Sequence, residues 1–146
     1  MTETIDFYCT GNSTNFAGWA ITLVYEDPTF NLRNVNIFDG LESVNISENE
    51  LTIILDNLNV IDSNGAKIGF LAWEGDSLLA VEESLRINGQ LTENPPLNPG
   101  NNAFNSTNSF TGSSELYNMD IDVYNVEDVI NAGDTQAVID LTSGQD

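Results

Sequence analysis

Along this chain short apolar runs alternate with turn residues such as Asn, Asp, Gly and Pro. None of these runs approaches the roughly 18 consecutive apolar residues of a membrane span. β-Branched and aromatic side chains dominate them, which favours strands. Strands are expected at residues 5–9, 19–25, 34–38, 50–56, 67–73, 84–88, 119–124 and 136–142. Their spacing predicts an all-β domain, an antiparallel β-sandwich of jelly-roll type. A chain of 146 residues fits a single domain, 1–146, with a core that needs no staple.

Alternation assigns faces, because side chains along a strand point to opposite sides with period two. Trp19, Ile21, Leu23 and Tyr25 share one face, while Ala20, Thr22, Val24 and Glu26 share the other. Both faces are fairly apolar, as in a central strand, so Trp19 is expected in the core, as is Trp73. Val35 and Ile37 face inward in 34–38. Asp120 and Asp122 share one face of their strand and Ile121 and Val123 the other, the pattern of a half-buried strand.

Between Leu91 and Glu115 the composition turns to Asn, Pro, Ser, Thr and Gly. A stretch this long without regular structure is uncommon inside one domain and is held by specific contacts or used functionally. Ala103, Phe104 and Phe110 are the residues expected to pin it. At most one short helix is expected, a turn or two over 126–132. Asn125 caps it, Glu127 and Asp128 sit in the first turn, and Gly133 ends it.

Charge narrows the function. There are 23 acidic residues against 3 basic ones and no His, a net charge of -20, in a chain that is 40% hydrophobic. Disorder requires fewer large apolar residues, so the composition describes a folded domain with an anionic surface. Arg33, Lys67 and Arg86 are too few to neutralise a run of phosphates or to grip an anionic bilayer, which excludes nucleic acid as a partner, and without a span-length apolar run no direct membrane insertion is expected. Without His, the Ser-His-Asp, Cys-His and HExxH arrangements are absent. Cys9 stands alone, expected as a small buried hydrophobe, and can form no intrachain disulfide.

Carboxylate chemistry and hard-cation binding remain. Glu26-Asp27, Glu74-Gly75-Asp76 and Asp120-Ile121-Asp122 each bring two oxygen donors together near a loop, as does Glu127-Asp128. Calcium takes 6 to 8 oxygens in flexible geometry. The candidate calcium ligands are therefore Glu26, Asp27, Glu74, Asp76, Asp120 and Asp122, each of which has an alternative reading as a solvated surface charge. Two carboxylates across a cleft would also suit glycoside hydrolysis, but any acidic β-sandwich meets so loose a criterion. A Lys-Asn isopeptide bond would have to use Lys67. For glycans, the candidates are Asn101, Asn102 and Asn105 of the polar loop with Tyr117 as a stacking ring. The alternative reading is that these Asn residues satisfy turns. Asn-x-Ser/Thr sequons stand at Asn12, Asn45 and Asn105.

Several segments together carry a family resemblance. They are residues 16–21 running into Val24-Tyr25-Glu26-Asp27-Pro28, then 33–40, Ala66-Lys67-Ile68-Gly69 with Trp73-Glu74-Gly75-Asp76, 101–107, and 119–124. The set resembles a domain of very large secreted, adhesin-type surface proteins of Bacteroidetes, associated with gliding and type 9 secretion, with related domains in archaeal surface proteins. The resemblance implies an extracellular location and a non-catalytic module of an adhesin or filament, contributing structure, adhesion and subunit contacts. It carries no catalytic motif. Family members have further apolar strands at both ends, so the chain is expected to be a fragment lacking flanking strands. Either the missing strands belong to separate pieces, or other copies or neighbouring domains of the same surface protein fill the gap through β-strand addition. A carbohydrate-binding module of a secreted protein is the alternative.

Overall fold

A computed structural model describes residues 19–31, 33–73, 75–78 and 82–144. The expected strand at 5–9, Cys9 and the sequon at Asn12 lie outside the described residues. The chain divides into two units, residues 1–33 and 34–146.

In the first unit, residues 19–25 form no strand; the backbone is irregular until a turn at Asp27 to Phe30, closed by Phe30 N–H donating to Asp27 O at 3.2 Å. Trp19 is 80% exposed, and Ile21, Leu23 and Tyr25 are exposed with it, so the expected central strand and its core Trp are not realised. A strand exists only where a second strand accepts its backbone groups, and apolar alternation alone supplies none.

Among the described residues the second unit is a β-sandwich of six strands in two antiparallel sheets. β1 (Glu50–Asp56), β6 (Gln136–Thr142), β3 (Ser84–Ile87) and β4 (Gln90–Thr92) lie side by side in that order. β2 (Lys67–Trp73) pairs with β5 (Met119–Asn125) to form the second sheet. Register follows the apolar alternation. Ile53 opposes Ile139, which also opposes Ile87, and Leu85 opposes Leu141, so one face of the larger sheet is aliphatic. That face meets Ile68, Phe70 and Tyr124 of the smaller sheet, with Ala103, Phe104 and Val126 completing the core. Phe70 stacks on Tyr124 with centroids 5.6 Å apart and meets Phe104 edge-on at 5.5 Å.

β4 was not anticipated. It forms because Asn88 and Gly89 both adopt positive φ, 50° and 78°, and close a tight hairpin between Ile87 and Gln90. Asn88 also ties the hairpin to β6, receiving Val138 N–H on Oδ1 at 2.9 Å. Residues 34–38, expected as a strand, remain unpaired, with Val35, Ile37 and Phe38 exposed. At 126–132 only a single turn closes, through Ile130 N–H to Val126 O at 3.1 Å, and Asn125 Oδ1 accepts Glu127 N–H as its cap. No described helix is long and apolar enough to cross a membrane.

Candidate functional site

The inner face of β5 is polar. Asp120, Asp122 and Tyr124 point inward, opposite Ala72, Phe70 and Ile68 of β2, while Met119, Ile121 and Val123 are half-buried on the other side. Asp120 and Asp122 are 0% and 1% exposed. The face that pattern alone would turn to solvent is thus the buried one, and the physical reason is a demand for acceptors.

That demand comes from the polar loop. Residues 105–109 run alongside β5, with Ile121 N–H donating to Thr107 O at 3.0 Å and Ser109 N–H to Ile121 O at 3.2 Å. Carboxylates accept the other inward donors and share that of Ser109. Asp120 Oδ1 accepts Asn105 N–H at 3.0 Å and Thr107 N–H at 2.9 Å, and Asp122 Oδ1 accepts Ser109 N–H at 2.9 Å. Ser109 returns the favour, its Oγ accepting Val123 N–H at 2.7 Å. A buried N–H without an acceptor is costly, so two aspartates at period two complete the second edge of β5 by side chain.

Side chains of the loop close over the same carboxylates. Asn98 Nδ2 donates to Thr107 Oγ1 at 2.6 Å and to Asp122 Oδ2 at 3.0 Å, and Thr107 Oγ1 donates to Asp122 Oδ2 at 3.1 Å or Asp120 Oδ1 at 3.3 Å. Asn98 is itself fixed by paired backbone bonds with Asn94, at 2.8 and 3.0 Å. Asp120 Oδ2, Asn98 Oδ1 and the Tyr124 hydroxyl are buried with no hydrogen-bond partner. Gly75 lies hard against Asp120: a Cβ there would sit 1.8 Å from Oδ2. Only glycine permits that approach.

Burial raises the carboxyl groups of both aspartates above 3.8, the N–H donors of Thr107, Ser106 and Asn105 opposing it at Asp120. At Asp122 the Thr107 hydroxyl opposes it and the Asp120 charge adds to it. Burial and then the two aspartate charges likewise raise the Tyr124 hydroxyl.

Among the other expected site residues, Asp27 and Asp76 each close their own short turn, Asp27 Oδ1 accepting from Thr29 and Asp76 Oδ1 accepting Leu78 N–H at 2.8 Å. The Thr29 hydrogen bonds lower the Asp27 carboxyl. Glu26 is exposed, and Glu74 lies outside the described residues. Among the described residues no three His, Cys, Asp or Glu side chains gather around one point. Asn102 and Asn105 are turned inward, donating to Ser77 O at 3.5 Å and Leu97 O at 2.8 Å, whereas Asn101 and Tyr117 are exposed. The buried amide of Asn105 leaves its sequon inaccessible in the folded chain. Of the three expected pins Ala103 and Phe104 pack into the core, whereas Phe110 is 72% exposed. Lys67 opens onto a surface pocket of about 320 Å³ with Glu93, Asn94, Val123, Tyr124 and Asn125, a wet setting unsuited to an isopeptide bond.

Sequence reasoning missed Asn98, Thr107, Ser109 and Gly75. A signal was present: Asp-x-Asp within an apolar strand, and Asn105-x-Thr107-x-Ser109, both with period two. No family model, curated protein or solved structure matches the chain.

Proposed function

We propose that this chain is a non-catalytic structural module of an extracellular adhesin or filament, joined to other copies of itself by β-strand addition. One observation carries the reading. Among the described residues β1 pairs with β6 alone and β2 with β5 alone, so each sheet ends on a seven-residue strand whose outer backbone groups have no neighbouring strand. Inward side chains next to those edges, Ile53 and Leu55 on β1 and Ile68 and Phe70 on β2, are only partly buried. Natural sheets cover or blunt such edges. Residues 34–38 offer the complement: alternating Asn34, Val35, Asn36 and Ile37, free of acidic side chains and unpaired.

Strand donation from each copy to the next is a head-to-tail contact, which grows into a filament unless it closes. A charge of -20 per chain opposes that growth, and calcium at surface carboxylates would relieve it. The carboxylates of Asp120 and Asp122 support a structural role, since they are committed to loop N–H groups rather than facing one another across a cleft. The surface-protein setting and extracellular location rest on the family resemblance.

Molar mass by light scattering, with calcium and with chelator, tests the reading. Reversible growth into long assemblies is the expected result, and a constant monomer mass in both conditions would overturn it. Exposed Tyr117 favours the second reading, a carbohydrate-binding module. Saturable polysaccharide binding that Tyr117→Ala abolishes without loss of fold would replace the first reading with the second.

A further inference from the structure

We propose that Thr107 and Asn98 become joined by an intramolecular ester, formed with loss of ammonia and with Asp122 moving the proton. The inference goes beyond the filament reading and does not depend on it.

The geometry points there because one carboxylate oxygen touches both the nucleophile and the leaving group. Asp122 Oδ2 lies 3.1 Å from Thr107 Oγ1 and 3.0 Å from Asn98 Nδ2, and those two atoms are 2.6 Å apart. A general base must reach the proton it removes, and a general acid the atom that departs. Here a single oxygen does both. All three side chains are within 2% of full burial, so water does not compete with the hydroxyl.

The step balances without any outside reagent. Asp122 takes the Oγ1 proton, and Oγ1 bonds to Asn98 Cγ. The resulting tetrahedral centre collapses as the Cγ–Nδ2 bond breaks, and Asp122 returns the proton to the nitrogen, which leaves as ammonia. Burial raises the Asp122 carboxyl, which makes it a better proton acceptor than an exposed aspartate. Attack requires Oγ1 to meet the face of the amide, whereas the resting hydrogen bond from Nδ2 runs in its plane. Rotation about the Asn98 Cβ–Cγ bond is needed; it must loosen the Nδ2 bonds to Thr107 and Asp122, while Oδ1 has no hydrogen bond to lose. Asp120 acts as a positioning residue, holding Thr107 through its N–H at 2.9 Å.

Protonation of the released ammonia in neutral solution and exclusion of water from the ester both oppose reversal. The product would fasten the turn at Asn94 to Asn98 covalently to the segment along β5, locking the loop whose hydrogen bonds complete that edge.

Intact mass of the purified, folded chain, followed by peptide mapping, decides the matter. The expected result is a mass lower than that of the sequence by one ammonia, with the peptides holding residues 98 and 107 recovered joined and separated by hydroxylamine. Thr107→Val should restore the full mass, and Thr107→Ser should retain the loss. A wild-type chain, folded by circular dichroism, that keeps its full mass after prolonged incubation would overturn the proposal whatever the variants do. So would an ammonia loss confined to a single peptide, as a succinimide gives.

Discussion

Replacing Asp120 with Ala is the sharpest probe of the polar seam beneath the loop. The substitution removes the one acceptor shared by Asn105 N–H and Thr107 N–H, at 3.0 and 2.9 Å, in a site without solvent. Each orphaned donor costs about 1–3 kcal/mol, so the pair costs about 4 kcal/mol. Removing a carboxylate that is itself penalised by burial returns about 1 kcal/mol, leaving a loss of about 3 kcal/mol. A loss of that size takes a large share of the ~5–15 kcal/mol that holds a domain of this size together. Asp120→Asn keeps Oδ1 as acceptor for both donors and places its amide toward Gly75, so its loss is expected near 1 kcal/mol. Urea unfolding followed by circular dichroism, with the slope compared between variants, measures both. A loss below about 1 kcal/mol for Asp120→Ala, or equal losses for Ala and Asn, would refute the view that the carboxylate acts as an acceptor for loop backbone.

Gly75→Ala should destabilise by about 1–3 kcal/mol, since the new Cβ would lie 1.8 Å from Asp120 Oδ2 and 3.1 Å from Ser106 N; thermal unfolding checks this. Because burial raises the Asp120 and Asp122 carboxyls in the folded state, folding takes up protons. Their stabilising effect is complete below 3.8 and is lost as pH rises through the raised values, with a slope of at most about 1.4 kcal/mol per pH unit for each group. Unfolding titrations across that range should show stability rising toward acid, and Asp122→Asn should flatten the rise. Ile54→Lys places a charge on the exposed face of β1; it should leave the monomer's stability within about 0.5 kcal/mol and suppress assembly in light scattering.

Much of the sandwich was legible because local pattern and tertiary demand agree there. In 50–56, 67–73 and 136–142 the alternating side chains coincide with strands that have partners. At 19–25 and 34–38 the same signal produces no strand, because pairing depends on another segment and not on the residues themselves. The hairpin that creates β4 was within reach through Asn88-Gly89, whose positive φ values a short side chain and a glycine tolerate. The acidic face of β5 was misleading for a physical reason. Hydrophobicity sorts Asp120 and Asp122 to solvent, but donors on Asn105, Thr107 and Ser109, more than ten residues away, make burial favourable. Asp27 and Asp76 carry the same residue type with only local turns to serve, and neither belongs to an Asp-x-Asp pair within an apolar run.

Hydrogen exchange of the outward-facing β1 amides, followed as protein concentration rises in calcium, tests the strand-addition account most directly. The account predicts that protection across Glu50–Asp56 grows with concentration and vanishes on dilution, because a strand from another copy supplies the missing acceptors. Assemblies that gain mass while the β1 amides exchange at the monomer's rate would contradict it.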